Sequence, residues 1–337
     1  AHDVGAPDPV QGVRQWHHLD DALLGAAEGM CGVFGVIGGE PGSDRQAEGV
    51  LADLRHRGPD DRGVATFEGG WMAHTRLAII DLSPLGRQPM RSARGTTWIA
   101  YNGEIYNYLE LRRELADYPF RTRTDTEVIL AAYETWGEAF LRRLRGMFAF
   151  GLWDAGRRKL LCATDRFSIK PLYYRLDGER LLFSSEVKPM ARLGPPLRPN
   201  DRLVHDYLAF GLLDHSEETL FEGVFQLRPG SVLTFQGGRL SVGRYWELPG
   251  LDVAEEVGGA EGLSEEELEA KLLEAVRLHL RGDVEVGLSL SSGLDSHVLR
   301  ELILRAGERT RPLSCFTYSF PGTPYDEWER NRPVLTT

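Results

Sequence analysis

Cys31, in the stretch "EGMCGVFGVIGG", directly follows Met30 and opens a run of small and apolar residues. A chain begun at Met30 and stripped of it would carry a thiol and a free α-amine on one residue, a nucleophile with a base built in. By itself, Cys31 reads equally well as a small buried hydrophobe beside a strand. Further along, "SLSSGLDS" (289–296) sets a glycine and several hydroxyls between an apolar strand and the start of a helix. Unpaired N–H groups and the helix dipole favour an anion there, phosphate or pyrophosphate above all. Asp295 could then hold a Mg²⁺ that bridges phosphate oxygens. The plain alternative is a tight strand–helix turn with Asp295 or Ser296 as N-cap. Without a lysine the loop is no Walker motif.

Other residues carry weaker signals. Asn102-Gly103 in "AYNGEIYN" is a hairpin turn signal, or an amide and an N–H aimed into a cleft as an oxyanion hole. Arg76, inside the apolar "AHTRLAIID", requires an anionic partner, either a protein carboxylate, the commoner answer, or a substrate carboxylate. The charges of "HRGPDDRG" (56–63) read as a solvated turn, and Asp125 in "RTDTEVIL" as the N-cap of its helix. His74 and His297 have no cysteine or acid at telling spacing and read as structural.

The elements that must position these residues follow from texture. From Cys31 to about residue 246, short runs rich in aromatic and β-branched residues alternate with Gly, Pro and Asp, a strand pattern. "SVLTFQGGRLSVGRYW" predicts a hairpin turning at Gly237-Gly238. Amphipathic helices are expected around 44–55, 108–115 and 125–136. Many strands with segregated helices define an α+β layered domain. The acidic, Gly-rich 247–262 reads as a linker. After it, Ser264 with Glu267 forms a capping box, and Leu268, Leu272, Val276 and Leu280 repeat at four-residue spacing. The strand "VEVGLSL", a helix with Val298, Leu299, Leu302 and Ile303 on one face, and "PLSCFTYSF" make a β-α-β unit. That unit opens a parallel, doubly wound sheet over 263–337.

The chain has 337 residues, which sets two domains as the prior, and its net charge of -11 disfavours nucleic acid and anionic membranes as partners. Cys31, Cys162 and Cys315 are too widely spaced for a disulfide framework or a metal pattern, and a reducing cytoplasm is the simplest setting. No apolar run approaches the roughly 18 residues of a membrane span. Residues 1–30 lack a basic region and a long apolar run, so they read as a leader, a propeptide or a mis-start, not as a secretory signal.

Taken in order, "MCGVFGV", "LRHRGPDDRG", "AHTRLAIIDLS", "YNGEIYN", "FRTRTDTEVIL", "GMFAFGLWD", "DRFSIKPLYY", "FSSEVKPM", "RPGSVL" and "LSLSSGLDS" resemble the glutamine-dependent asparagine synthetases. The resemblance covers residues 30 to about 320. It implies an N-terminal-nucleophile (class II) glutaminase domain of α/β/β/α layers over 31–246, followed by the start of an ATP-pyrophosphatase domain. It makes Cys31 the nucleophile toward glutamine, with its own α-amine as base, and Asn102 and Gly103 the oxyanion donors. Glutamine would be held by Arg76, Leu77, Ala78, Ile79, Ile80, Asn102, Gly103, Glu104 and Asp125. Arg76 would take the α-carboxylate, and Glu104 and Asp125 the α-ammonium. ATP would lie on Leu290, Ser291, Ser292, Gly293, Leu294, Asp295, Ser296 and Tyr318, with Asp295 on Mg²⁺. Ammonia would pass to an adenylated carboxylate, aspartate first among candidates, and a homodimer is allowed.

Some positions depart from the family. Ser292 and Ser168 each stand where glycine is usual. Residues before Cys31 would block its amine. The second acidic Mg²⁺ motif, with its lysine, is expected beyond Thr337, so that the chain reads as a fragment. Two other readings stay open: the same scaffold with another acceptor, forming lactams or peptide amides, and a truncated paralogue without catalysis.

Overall fold

A computed structural model of the chain describes residues 30–39, 42–248, 264–307 and 313–335. Residues 1–29 of the expected leader (1–30) and 249–262 of the expected linker (247–262) lie outside the described residues. The described residues fall into two compact units, one within Asp21–Val253 and one within Ala254–Thr337.

The larger unit begins with β1 (Gly32–Ile37), α1 (Asp44–Leu54), β2 (Asp61–Phe67) and β3 (Gly70–Arg76). There follow β4 (Met90–Arg91), β5 (Thr97–Ile105), α2 (Tyr108–Glu114), α3 (Asp125–Trp136), β6 (Gly146–Asp154) and β7 (Lys159–Thr164). It ends with β8 (Tyr173–Asp177), β9 (Arg180–Ser184), α4 (Lys188–Leu193), α5 (Asp201–Phe210), β10 (Phe225–Gln226), β11 (Ser231–Gln236) and β12 (Arg239–Arg244). The strands build two six-stranded sheets in the orders β10-β8-β9-β1-β3-β2 and β12-β11-β7-β6-β5-β4. The predicted hairpin is β11–β12, with Gly237 and Gly238 both at positive φ in its turn.

Alternate residues of a strand face opposite sides, so a strand buried on both faces serves two cores. Along β1, Phe34 and Val36 pack outward against α1, whereas Val33 and Ile37 pack inward against the second sheet. On the other sheet, Ile99, Tyr101, Phe148 and Phe150 pack outward onto α2 and α3, and Ala100, Ala149 and Cys162 inward. The result is the α/β/β/α sandwich expected of the α+β class. Phe183 explains two glycines of the strands. Its fully buried ring lies where a Cβ on Gly35 or on Gly151 would come within 2.3 Å and 2.2 Å of it, so both sheets yield room to one aromatic.

The smaller unit comprises α6 (Glu265–His279), β13 (Gly287–Ser289), α7 (Leu294–Arg305), β14 (Ser314–Phe316) and α8 (Trp328–Leu335). The Ser264–Glu267 capping box is present, and β13 and β14 pair in parallel across α7, the expected β-α-β unit. The first strand is shorter than "VEVGLSL" predicts. The helix faces also differ. Val276 is buried, with Leu273 and Leu280 packed against its cluster, while Leu268 and Leu272 are 49% and 39% exposed. A strict four-residue repeat slips round a 3.6-residue helix by about 40° per step, so it cannot stay on one contact line. In α7, Leu302 and Ile303 are buried in one cluster with Val276, Leu288 and Leu290, but Val298 and Leu299 are exposed.

Candidate active site

Cys31 stands at the start of β1, and the register Gly32↔Thr75 brings it beside the end of β3 and the segment after Arg76. Its thiol touches the Leu77 N–H at 3.4 Å and the Leu77 carbonyl at 3.5 Å. The "HRGPDDRG" loop holds this corner, and its charges are not simply solvated as the sequence reading expected. Arg57 is buried, donates from Nε to the Cys31 carbonyl at 3.1 Å and pairs with Glu186, also at 3.1 Å. Asp60 accepts the Ala78 N–H at 2.8 Å. Pairing β2 with β3 places that loop behind the thiol, a juxtaposition that no local signal reports.

A cavity of about 130 Å³ opens on Cys31 and is lined by Arg76, Leu77, Ile79, Ile80, Asn102, Gly103, Glu104 and Asp125. Of the predicted glutamine-binding set only Ala78 is missing from its wall. The sequence reading missed Gln88, Tyr101, Thr124, Thr126, Met147 and Lys170, which also line it. Lys170 had a usable signal, a lysine set between Ile169 and Pro171 in the quoted "DRFSIKPLYY". Tyr101 adjoins Asn102, and Thr124 and Thr126 flank Asp125, so position beside a predicted residue was their only signal; Gln88 and Met147 come from other segments.

Arg76 is buried, and among the described residues it has no carboxylate partner. Its guanidinium donates instead to the carbonyls of Ser83 at 2.9 Å, Ile80 at 3.3 Å and Asp81 at 2.5 Å. Carbonyls orient a cation without neutralising it, so this charge is held in place and still available to an anion. Gly86 makes room for it, since a Cβ there would meet Arg76 Nη2 at 2.1 Å.

Asn102 and Gly103 are not a hairpin turn. They lie inside β5, paired with Ala149 and Phe148 of β6. Phe148 directs both its N–H and its carbonyl to Asp165, so antiparallel alternation turns the Gly103 N–H away from β6. On that same edge the Tyr101 N–H goes to Gln88 Oε1 at 2.8 Å and the Ile105 N–H to Asp125 Oδ2 at 2.9 Å. The Gly103 N–H between them faces the cavity. Asn102 Nδ2 is buried and has no hydrogen-bond partner among the described residues. An amide donor without a partner among the described residues, and a backbone N–H turned toward the same cavity as the thiol, are the hydrogen-bonding complement of an oxyanion.

The Gly103 backbone has φ +151°, and a Cβ there would lie 2.1 Å from the Met147 carbonyl oxygen. Left-handed strain alone costs about 1–3 kcal/mol. Gly103→Ala is therefore expected to lower the melting temperature of this unit by roughly 5 °C or more, as thermal unfolding followed by circular dichroism would show.

Asp125 is not the N-cap of α3. Thr124 is, its side chain accepting from the Glu127 N–H, because Asp125 is drawn inward to Tyr101 Oη at 2.7 Å and Ile105 N. Burial pushes the Asp125 carboxyl up. Burial first, and then Asp125, pushes Glu104 up to about 7. The Cys31 thiol is pushed up by burial to about 11, although the Leu77 backbone and Arg76 pull against this. His74 is buried and depressed to about 4, mainly by desolvation, so it is neutral. Its Nε2–H donates to the Tyr101 carbonyl at 2.9 Å, which can only accept. His74 and His297, the latter against Asn331 Oδ1 at 3.1 Å, are structural in geometry, as expected.

In the smaller unit Leu290 is buried and Ser291–Ser296 form an open loop into α7. The N-cap is Gly293 and not Asp295 or Ser296, and no side chain caps the helix. Ser296 Oγ is drawn back to the Ser291 and Gly293 carbonyls at 2.9 Å and 3.0 Å, and Asp295 is exposed. Ser292 has no positive φ, so its side chain costs no backbone strain, whereas Ser168 keeps a glycine-like φ of +52°. An uncapped helix start with one exposed carboxylate suits a phosphate chain and its cation, Asp295 adding a ligand to phosphate and water oxygens. Sequence reading missed two residues here. Glu327 accepts the Ser292 N–H at 3.1 Å, and the buried Asn331 donates to the Leu290 carbonyl at 3.0 Å and to Thr317 Oγ1 at 2.7 Å. The exposed Tyr318 follows β14.

Two six-stranded sheets layered between helices, with the Cys31 thiol and the orphan Asn102 amide in one cavity, define a class II glutamine amidotransferase fold. The family profile described as "Glutamine amidotransferase domain" matches residues 30–246, and that described as "Asparagine synthase" matches residues 267–336. The chain belongs to the asparagine synthetase (glutamine-hydrolysing) family. It is 34% identical over 331 residues to the protein named amidase chry2 of Gibberella zeae, covering 88% of this chain and 48% of that one. It is 33% identical over 322 residues to the putative asparagine synthetase [glutamine-hydrolyzing] 2 of Methanocaldococcus jannaschii (88% and 61%). It is 35% identical over 307 residues to asparagine synthetase [glutamine-hydrolyzing] 1 of Bacillus subtilis (88% and 47%). The chain thus spans about half the length of the curated relatives it matches. Among solved structures, a glutamine phosphoribosylpyrophosphate amidotransferase from B. subtilis aligns at TM-score 0.48 and 18% identity, over 85% of this chain and 65% of its own. That likeness is weak, and the fold rests on the layers described above. Among the described residues, no helix is long and apolar enough to cross a membrane.

Proposed function

We propose that the chain is a glutamine-dependent amidotransferase of the asparagine synthetase type, with glutaminase chemistry in 31–246 and ATP chemistry beginning in 263–337. The supporting observation is the cavity in which the Cys31 thiol, the orphan Asn102 Nδ2 and the Arg76 cation meet. Arg76 takes the α-carboxylate of glutamine, and Glu104 and Asp125 its α-ammonium. Cys31 Sγ attacks the carboxamide carbon, and its proton moves to the Cys31 α-amine. Asn102 Nδ2 and the Gly103 N–H hold the negative oxygen. The C–N bond then breaks, ammonia leaves with that proton, and water hydrolyses the thioester to glutamate. No side chain accepts a bond from the thiol among the described residues, only the Leu77 carbonyl, which is why the base is assigned to the amine. Catalysis then requires Cys31 to be residue one of the working protein.

The 291–296 loop would hold the phosphates of ATP, and Asp295 would hold the Mg²⁺ that offsets their charge. A carboxylate attacks the α-phosphorus, pyrophosphate leaves, and ammonia displaces AMP from the acyl-adenylate. Aspartate is the first acceptor to test, and a cytoplasmic homodimer fits these substrates. The relative named as an amidase favours a second reading, the same donor chemistry with another acceptor. The test is glutamate and ammonia formation from glutamine, alongside intact mass. Activity is expected only in protein whose N-terminus is Cys31, and turnover with the preceding residues still attached would overturn the assignment of the base.

A further inference from the structure

Lys170 has no task in the proposed reaction, yet it lines the Cys31 cavity and is largely buried. Its ammonium donates to Met30 Sδ at 2.9 Å, in the residue that immediately precedes Cys31. The loop that delivers it is built around Asp165, whose carboxylate accepts the N–H groups of Phe167 at 2.9 Å, Ile169 at 3.1 Å and Lys170 at 3.2 Å. We propose that Lys170 is a positioning residue of the glutaminase, its ammonium set against Cys31 so that the Cys31 α-amine stands in its neutral, proton-accepting form at physiological pH. This rests on the reading that Cys31 is the first residue of the working enzyme.

An ordinary α-amine has a pKa of about 7.7–8.0 and is mostly protonated at pH 7. A protonated amine cannot accept the thiol proton, and a nearby cation disfavours that form. The charged groups around Cys31 are Arg57 from the α1–β2 loop, Arg76 from β3, Glu104 from β5, Asp125 from α3, and Lys170 with Asp165 behind it. Arg57 is already paired with Glu186, so Arg76 and Lys170 are the cations of this cavity without a carboxylate partner among the described residues; Asp125, held by Tyr101 and Ile105, opposes them, and burial weakens the charge of Glu104. Burial pulls Lys170 itself downward while Glu104 and Cys31 support its charge.

The test uses protein beginning at Cys31 and labelled with ¹³C-cysteine, the amine being titrated through the Cα shift and kcat followed at saturating glutamine from pH 6 to 9. The wild-type amine is expected to titrate below the ordinary range. In Lys170→Met its midpoint and the acid limb of kcat move up by about one pH unit. That lowers kcat at pH 6.5 about tenfold, with a smaller loss at pH 9, and Lys170→Arg restores the wild-type profile. Equal midpoints in wild type and Lys170→Met would overturn the proposal. Should Lys170→Met not fold, a wild-type amine titrating within or above the ordinary range overturns it equally. A normal Lys170 effect on the amine in protein releasing no ammonia would place the failure in the glutaminase reading instead.

Discussion

Cys31→Ala, in protein that begins at residue 31, is expected to reduce ammonia release from glutamine to the uncatalysed background, a loss on the order of 10⁴ or more. The thiol is the bond-forming atom of the proposed reaction, and the other nucleophile-bearing side chains on the wall are engaged, Thr126 with Gln88 and Lys170 with Met30. Tyr101 is spent on Asp125, and Thr124 caps α3. The substitution removes one partly buried sulfur whose neighbours are backbone atoms of Leu77, so the fold should survive. Measured melting curves should nearly overlay, and glutamine should still bind through Arg76. Calorimetric titration of the variant with glutamine would show binding without turnover. Substantial residual turnover would place the chemistry elsewhere.

The second large effect is expected at Asn102. Asn102→Ala removes the donor whose nitrogen has no partner in the resting protein, so the loss falls on the transition state. One such donor is worth about 10²–10³ in kcat, while KM for glutamine should change little. Asn102→Asp should do worse, since it brings a negative charge to the site where one develops. Steady-state kinetics on the two variants give the comparison. An Asn102→Ala enzyme within about threefold of wild-type kcat would leave the oxyanion to Gly103 alone.

Much of this was legible in the residues themselves. Strands, hairpin and helices of the larger unit follow from alternation and turn chemistry, both short-range, and the ordered motifs around Cys31, Asn102 and Ser291–Ser296 carried the family. Short-range rules failed where a side chain answers to something distant. Asp125 occupies a cap-like position, yet it bonds across to β5 and leaves the cap to Thr124. Asn102-Gly103 carries the strongest turn signal in its segment, yet pairing with β6 keeps it extended. Leu268 and Leu272 match a helical repeat, yet the contact with α7 runs through Leu273 and Val276.

The sequence by itself determined which chemistries were on offer: a thiol, a lone guanidinium in an apolar strand, an amide before a glycine, and a serine-rich helix start. Residue type and local spacing suffice for that, because bonding capacity and backbone freedom belong to the residue. Only the tertiary structure decided that Arg57 holds the Cys31 carbonyl while Arg76 and Lys170 line one cavity with its thiol, and that among the described residues Arg76 has no carboxylate partner and Asn102 Nδ2 no hydrogen bond. Convergence depends on β1 lying between β3 and β9, and on β5 facing it from the second sheet. Such long-range pairings are set by the summed burial of two sheets, a quantity that no single stretch of the chain contains.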